Sequence, residues 1–299
     1  MTIEPPVPGE PRRPHGPRNA GDAWVVAPTG ERYWGRFGAA GLLAYDRERG
    51  VLLQHRVAWS HFGGTWALPG GARHEGESAL DGALRESAEE AGVPPRAVRP
   101  VLQSVFDLGY WSYATVVAEV TAPFEPVISD PESVELSWVP VDEVDRYPLH
   151  PAFEDSWRRL RPLLDVRPVV IVDAANVVGS VPDGWWRDRA GAAARLLDRL
   201  GAWAEDGVDG ADLGLPERTW YPRTVVVLEG QAKDAGDDDR LTVVRAEGAG
   251  DDTIVAQTAF AAASGGPVTV VTGDRGLAAR VAEAGAEVRG ARWLLDRLR

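Results

Sequence analysis

The chain has 299 residues, with 32 Lys+Arg against 45 Asp+Glu and a formal net charge of −13. Hydrophobic residues make up 44% and charged ones 26%, the balance of globular protein, and the length suits two domains that each bury a core. Cysteine is absent, which excludes disulfide scaffolds, thiolate metal sites and cysteine nucleophiles. The acidity is shared, since residues 165–299 hold 22 acidic and 16 basic side chains and the remainder carries the larger excess. Neither half offers the basic footprint with which proteins grip long nucleic acid. Small anionic substrates held through metal ions remain compatible with this charge. No apolar run approaches about 18 residues and the first residues lack an apolar signal region, so no membrane partner and a cytoplasmic location are expected.

Residues 1–20, rich in Pro, Gly and Arg, read as a disordered leader. From Ala23 onward, AWVVA and YWGRF read as one hairpin and GAAGLLAY and VLLQHR as a second. HFGGTWALPGGARHEGE reads as a Gly-rich loop. A helix follows, capped by Ser78 and stopped by Gly92 ahead of Pro94 and Pro95. Strands around VLQSVFDL, YATVVAEV and ELSWVPV, then a helix from about Pro151 to Leu163, complete a first domain over 21–164. Beyond the joint at DVRP the grammar changes. VVIVDAANVVG reads as a strand leaving through a loop, and it and the strands TVVVLEG, LTVVRA, PVTVVTGD and AEVRG alternate with helices around RAGAAARLLDRLGAWA, DDTIVAQTAFAAAS, GLAARVAEAG and RWLLDRL. That alternation implies a parallel sheet covered on both faces over 165–299, an α/β domain.

On the first helix Glu86, Glu89 and Glu90 stand at i, i+3 and i+4 and share one face. Such crowding gains the helix nothing, whereas Mg²⁺ binds through a few carboxylates plus substrate phosphates. Glu77 can add an oxygen, and Arg85 can orient the acids through paired hydrogen bonds. A solvated acidic face is the alternative on the helix alone. From Gly71 the residues run G-x(5)-E-x(7)-R-E-S-x-E-E-x-G-V through Val93. This resembles the box of the Nudix hydrolases; at average residue usage its fixed positions recur by chance on the order of 10⁻⁸ per window. Ser87 departs from the aliphatic residue of that pattern. The resemblance covers about residues 37–163. It implies an α/β/α sandwich with a mixed sheet that cleaves a nucleoside diphosphate linked to a group X, with Glu86, Glu89 and Glu90 binding Mg²⁺ or Mn²⁺. Arg85 and Glu77 would join the catalytic set, Gly70 and Gly71 would border the substrate, and Glu135 is a further candidate ligand or base beside its reading as a surface glutamate.

In the second half, Asp173, Asp251 with Asp252, and Asp274 fall where ligands sit in open α/β sheets, at the carboxyl ends of strands. Helix capping and turn formation are the structural readings of the same residues. Together IVDAANVVG, GAGDDTIVAQTA and VVTGDRGLAARV resemble the NYN branch of the PIN-like ribonuclease fold. That resemblance implies a metal site of Asp173, Asp251, Asp252 and Asp274 for Mg²⁺- or Mn²⁺-dependent phosphodiester hydrolysis, with Asn176 touching substrate, while the acidic charge and the neighbouring Nudix-like half point to short or 5′-modified RNA as the partner. Ala278 stands where related nucleases often carry a further acid. Trp185 and Trp186 read either as a base-stacking platform or as packing anchors. A sensing protein, in which one or both domains bind a nucleotide or RNA without turnover, is the competing function.

Overall fold

Alanine-rich and β-branched runs form the strands of the first of two units, Met1–Leu164; the computed structural model describes residues 1–6, 19–60, 62–129 and 131–298. Strand β1 (Thr2–Glu4) pairs antiparallel with β2 (Trp24–Val26), which pairs with β3 (Arg32–Trp34). The first residues of the predicted leader are therefore a strand, because β2 offers them an edge; residues 7–18 lie outside the described residues. The main sheet contains β4 (Ala39–Asp46), β5 (Gly50–Arg56), β6 (Trp66–Ala67), β7 (Gly70–Ala72), β8 (Val98–Asp107), β9 (Ser112–Val120) and β10 (Ser133–Val139). Its spine runs β10-β5-β4-β9-β8, with β4 and β9 parallel and the other neighbours antiparallel, so the sheet is mixed.

Two strands lie inside what the sequence presents as a Gly-rich loop. β6 pairs with β5 and β7 with β4, Gly71 opposite Ala40. Helix α1 (Ala79–Ala91) covers one face of the sheet, its own Ala83 and Ala91 packing over a floor of small residues that includes Ala40, Ala44, Ala114 and Ala118. On β8, Val105 belongs to that face and Ser104 to the other. The Arg159 guanidinium of helix α2 (Pro151–Leu160) reaches the Ser104 hydroxyl at 3.5 Å, which sets α2 against the face opposite α1. Phe153, Trp157 and Leu160 are the buried stripe of α2.

The second unit, Asp165–Arg299, contains β11 (Val169–Asp173), α3 (Ala174–Gly179), α4 (Arg189–Asp206), β12 (Val208–Asp209), β13 (Thr219–Trp220), β14 (Arg223–Leu228), β15 (Thr242–Arg245), α5 (Gly250–Ala263), β16 (Val268–Val271), α6 (Arg275–Glu283), β17 (Glu287–Arg289) and α7 (Ala291–Leu295). The predicted parallel sheet is present in the order β15-β14-β11-β16-β17. The small antiparallel pair β12–β13 has no counterpart in the sequence reading. Ile171 and Val225 pack with Ile254 and Ala261 of α5 and Leu277 and Val281 of α6. The winding reverses between β11 and β16, which leaves a crevice at the carboxyl edge, the usual ligand position in such sheets. Among the described residues no helix is long and apolar enough to cross a membrane.

Candidate functional site

Helix α1 is fixed at both ends before its acids matter. The Ser78 hydroxyl accepts the Asp81 N–H at 3.0 Å. At the other end Gly92 turns left-handed at φ 64°, and the N–H groups of Gly92 and Val93 close on the carbonyls of Ala88 and Ser87, each at 3.2 Å. Ser87 is fully buried and donates to the Leu84 carbonyl, so the departure at this position satisfies its own hydroxyl within the helix.

Glu86 and Glu90 are only 3% and 2% exposed. Buried carboxylates need partners, and one guanidinium supplies several. Arg85 Nε and Nη2 donate to the two oxygens of Glu77 at 2.8 and 2.9 Å. Its Nη1 donates to Glu86 at 2.8 Å and to Glu89 at 3.3 Å, and Nη2 also reaches the Ala72 carbonyl at 3.0 Å. That guanidinium, foremost through its side-chain hydrogen bonds, holds the Glu77 carboxyl below its ordinary value, and the His74 N–H at 2.8 Å adds to this. Glu90 accepts the Gly70 N–H at 2.8 Å. Burial, with the charge of Glu90 added to it, pushes the Tyr113 hydroxyl up to about 12.

The structure thus gathers Glu77, Arg85, Glu86, Glu89, Glu90, Gly70 and Gly71. It does not bring Glu135 to them. Glu135 stands exposed on β10 opposite His55, whereas α1 packs on β4, β7 and β9.

The donor set suits a hard divalent cation, since every candidate donor is a carboxylate oxygen. Glu86 and Glu89 converge on one nitrogen of Arg85. A Cβ on Gly71 would lie 2.8 Å from Glu86 Oε2, so glycine leaves the space that this carboxylate fills. Among the described residues no three acids or imidazoles are gathered at metal-holding distance, and a cation would have to draw them together.

Two substitutions separate space for the site from space for the fold. A Cβ on Gly70 meets backbone, Ala40 O and Gly41 Cα both at 2.5 Å. Gly70→Ala is expected to lift β7 from β4 and cost about 2–3 kcal/mol. A Cβ on Gly71 meets only a side-chain end. Gly71→Ala is expected to cost less stability than Gly70→Ala, because a side chain gives where backbone cannot, yet to lose roughly tenfold or more in turnover, because the carboxylate is displaced. Urea unfolding beside initial rates checks both.

In the second unit a cavity of about 410 Å³ opens at the crevice, lined by Asp173, Asn176, Asp251 and Asp274 and by Glu229 and Trp185. Glu229 follows β14 and was not among the expected acids, although an acid closing a valine run is the same signal that marks Asp173. Its Oε2 accepts the Gly250 N–H at 2.8 Å. Asp252 is the exception. It leaves the cavity for Arg280 at 2.6 Å, because adjacent helix positions point about 100° apart and Asp251 already faces inward.

Asp173 Oδ1 accepts the Asn176 N–H at 3.1 Å and its Oδ2 accepts the Thr272 hydroxyl at 2.8 Å. Asn176 in turn accepts the Gly273 N–H at 2.7 Å, so its amide oxygen clamps the loop after β16. Asp274 accepts the Leu277 N–H at 2.8 Å and caps α6. Burial first, then the charges of Asp251 and Glu229, raise the Asp173 carboxyl above its ordinary value, against the two hydrogen bonds.

A carboxyl raised by folding stabilises below its unfolded value of 3.8, and that contribution is lost as pH rises through the folded value. Asp173→Asn is therefore expected to raise the melting temperature of metal-free protein at pH 7, by about 4 °C for each kcal/mol relieved. The two melts should converge near pH 3.5 or below, roughly under the unfolded carboxylate range. Calorimetry in EDTA across pH measures this, and a variant less stable at pH 7 contradicts it.

Comparison with known proteins bears on the first unit. Residues 35–160 match the model of the NUDIX domain. Putative 8-oxo-dGTP diphosphatase 3 of Mycobacterium tuberculosis is 48% identical over 154 residues, covering 48% of this chain and 70% of that protein. The nucleoside triphosphate pyrophosphatase/Nudix hydrolase fusion protein of Bifidobacterium longum is 42% identical over 153 residues, 48% of this chain and 32% of that one. Among solved structures, the Nudix hydrolase RenU of M. smegmatis is 45% identical, with 48% of this chain and 94% of that chain covered and a TM-score of 0.44.

Proposed function

The chain belongs to the Nudix family, and from that premise we propose that its first unit is a metal-dependent pyrophosphohydrolase acting on a nucleoside diphosphate linked to a group X. The observation that carries the reading is the single guanidinium of Arg85 tying Glu77, Glu86 and Glu89 together beside Glu90. Glu86, Glu89 and Glu90 would hold Mg²⁺ or Mn²⁺. When bound, the cation neutralises the diphosphate and makes a water more acidic. Arg85 keeps Glu86 and Glu89 aimed at a common point, the Gly70 N–H fixes Glu90, and Gly71 leaves the gap between strand and helix clear.

The experiment is a substrate panel with Mg²⁺ and Mn²⁺ that includes 8-oxo-dGTP, the unmodified deoxynucleoside triphosphates, ADP-ribose and dinucleoside polyphosphates. A nucleoside monophosphate product from at least one of them is expected. Silence across the panel, with nucleotide binding retained, replaces hydrolysis by sensing.

The cavity shared by Asp173, Glu229, Asp251 and Asp274 supports a second reading, for the second unit. These four acids would hold Mg²⁺ or Mn²⁺ for phosphodiester hydrolysis in single-stranded RNA, after the NYN branch of the PIN-like fold. The donors are again hard oxygens, and glycines at 250 and 273 leave Glu229 and Asn176 the room that side chains would take. Cleavage by wild type that vanishes in Asp173→Asn tests the reading; cutting that persists equally in the variant ends it. The division at residues 164 and 165 is proposed as a true domain boundary. Residues 165–299 expressed alone are expected to give one cooperative melt, and an insoluble product without one contradicts that.

A further inference from the structure

Trp185 and the acids of the second unit line the same cavity. The indole stands beyond the far end of α3 from Asp173. Asp173 caps the start of that helix, and a Cβ on Gly179 at its end would lie 3.7 Å from Trp185 Cζ2. Six residues of helix put about 9 Å between those ends, a span that one extended nucleotide covers. The volume, about 410 Å³, falls in the range of small-ligand pockets and is too small for a duplex. Asn176 and Ser180 join the acids in the polar part of the lining, and Ala175, Val227, Ile254 and Trp185 supply its apolar part.

The indole is braced from outside the cavity. The backbone N–H of Trp185 donates to Asp183 at 3.0 Å, and Gly184 turns left-handed at φ 87° to start the short helical turn that positions the residue's backbone. The Arg189 guanidinium lies over the ring at 5.3 Å, and Trp186 meets it edge-on at 6.3 Å. Trp186 itself is 56% exposed and does not line the cavity. A braced, partly exposed indole at the mouth of a nucleotide-sized cavity does what aromatic platforms do in single-strand binding, where any base stacks on a π face.

We infer that Trp185 stacks the base of one unpaired nucleotide whose phosphodiester lies against Asp173, Asp251 and Asp274. The inference rests on the phosphodiesterase reading of this unit and adds to it the residue that grips the unpaired base. A base inside a duplex cannot present its face to Trp185 without leaving the stack, so paired RNA is excluded. The acids reject a bare phosphate, so binding requires the divalent cation. Trp185 is a positioning residue and acts on affinity more than on the chemical step.

The test uses the full chain, a fluorescently labelled single-stranded oligoribonucleotide of about six residues, and the same oligonucleotide annealed to its complement. Anisotropy in Mn²⁺ reports binding, and product formation reports cleavage. Wild type is expected to bind the single strand and reject the duplex. Trp185→Ala should raise Kd and KM about tenfold with kcat within a factor of two. Trp185→Phe should recover most of the loss, and Phe260→Ala, at an exposed aromatic outside the cavity lining, should change neither. Equal Kd for wild type and Trp185→Ala, or equal binding of single strand and duplex, overturns the inference. If wild type binds without cutting, the phosphodiesterase reading fails while the stacking proposal is still decided by the Kd values. If wild type binds neither form, both are overturned.

Discussion

Replacing Glu89 with glutamine is expected to lower metal-dependent pyrophosphohydrolase turnover about 10²–10³-fold, equivalent to roughly 3–4 kcal/mol of transition-state stabilisation. The side chain is 48% exposed, and the Arg85 guanidinium meets it at 3.3 Å. Folding therefore depends on it little, and the melting temperature should stay within about 3 °C of wild type. The amide keeps the shape and removes the charge that a hard cation selects. Part of the loss should return at higher Mn²⁺, since the weakened ligand set still holds Glu86 and Glu90. Initial rates over a Mn²⁺ titration, beside a thermal melt, measure both quantities. Activity within a factor of two of wild type would remove Glu89 from the site.

Arg85→Ala should have the opposite signature, a damaged fold. Glu86 is 3% exposed, and its Oε1 takes the Arg85 guanidinium. Removing the cation from a buried pair costs about 3 kcal/mol or more, which in a unit of this size lowers the melting temperature by about 9 °C. The loss should depend on pH in a set direction. Glu77 is held below its ordinary value by Arg85. A carboxyl depressed by folding contributes stability above its unfolded value of 4.5, and that contribution disappears as pH falls through the folded value. The gap between wild type and variant should therefore be widest near pH 7 and narrow on acidification. Arg85→Lys should recover only part of the loss, because an ammonium cannot grip both oxygens of Glu77 in a fork. Melts from pH 7 to pH 3, a span chosen roughly to bracket the carboxylate range, decide the matter. A gap that widens toward acid refutes the role assigned to Arg85.

The sequence marked some parts of this molecule better than others, for physical reasons. Helix α1 was legible because its ends carry their own chemistry, a hydroxyl at Ser78 and a left-handed glycine at 92. The parallel strands of the second unit were legible because strands buried on both faces must be apolar throughout. Strands β6 and β7 were not, since two or three residues rich in glycine show no alternation and owe their form to the neighbouring strands. Strand β1 was hidden in the same way by its Pro-rich surroundings. At the sites, acids were read well one at a time and poorly in pairs. Asp251 and Asp252 are adjacent in sequence but diverge on the helix, while Glu229 and Asp173 are far apart in sequence and share a cavity. For Glu135 the sequence leaves a site role and a surface role open, and register places it on an edge strand away from α1.

The alanine floor beneath α1 bears on how this gene can drift. Ala83 and Ala91 of the helix and Ala40, Ala114 and Ala118 of the strands are buried in one cluster. An alanine codon becomes valine, threonine or proline by a single base change. Each of those residues brings bulk, a hydroxyl or a broken hydrogen bond into a packed layer. Random mutation therefore reaches the carboxylates from below as well as at their own codons. Replacements at these unremarkable alanines tilt or raise the helix and carry Glu86 and Glu90 with it, so inactivating changes accumulate at positions with no chemistry of their own. The exposed acids and arginines elsewhere on the surface are free to vary.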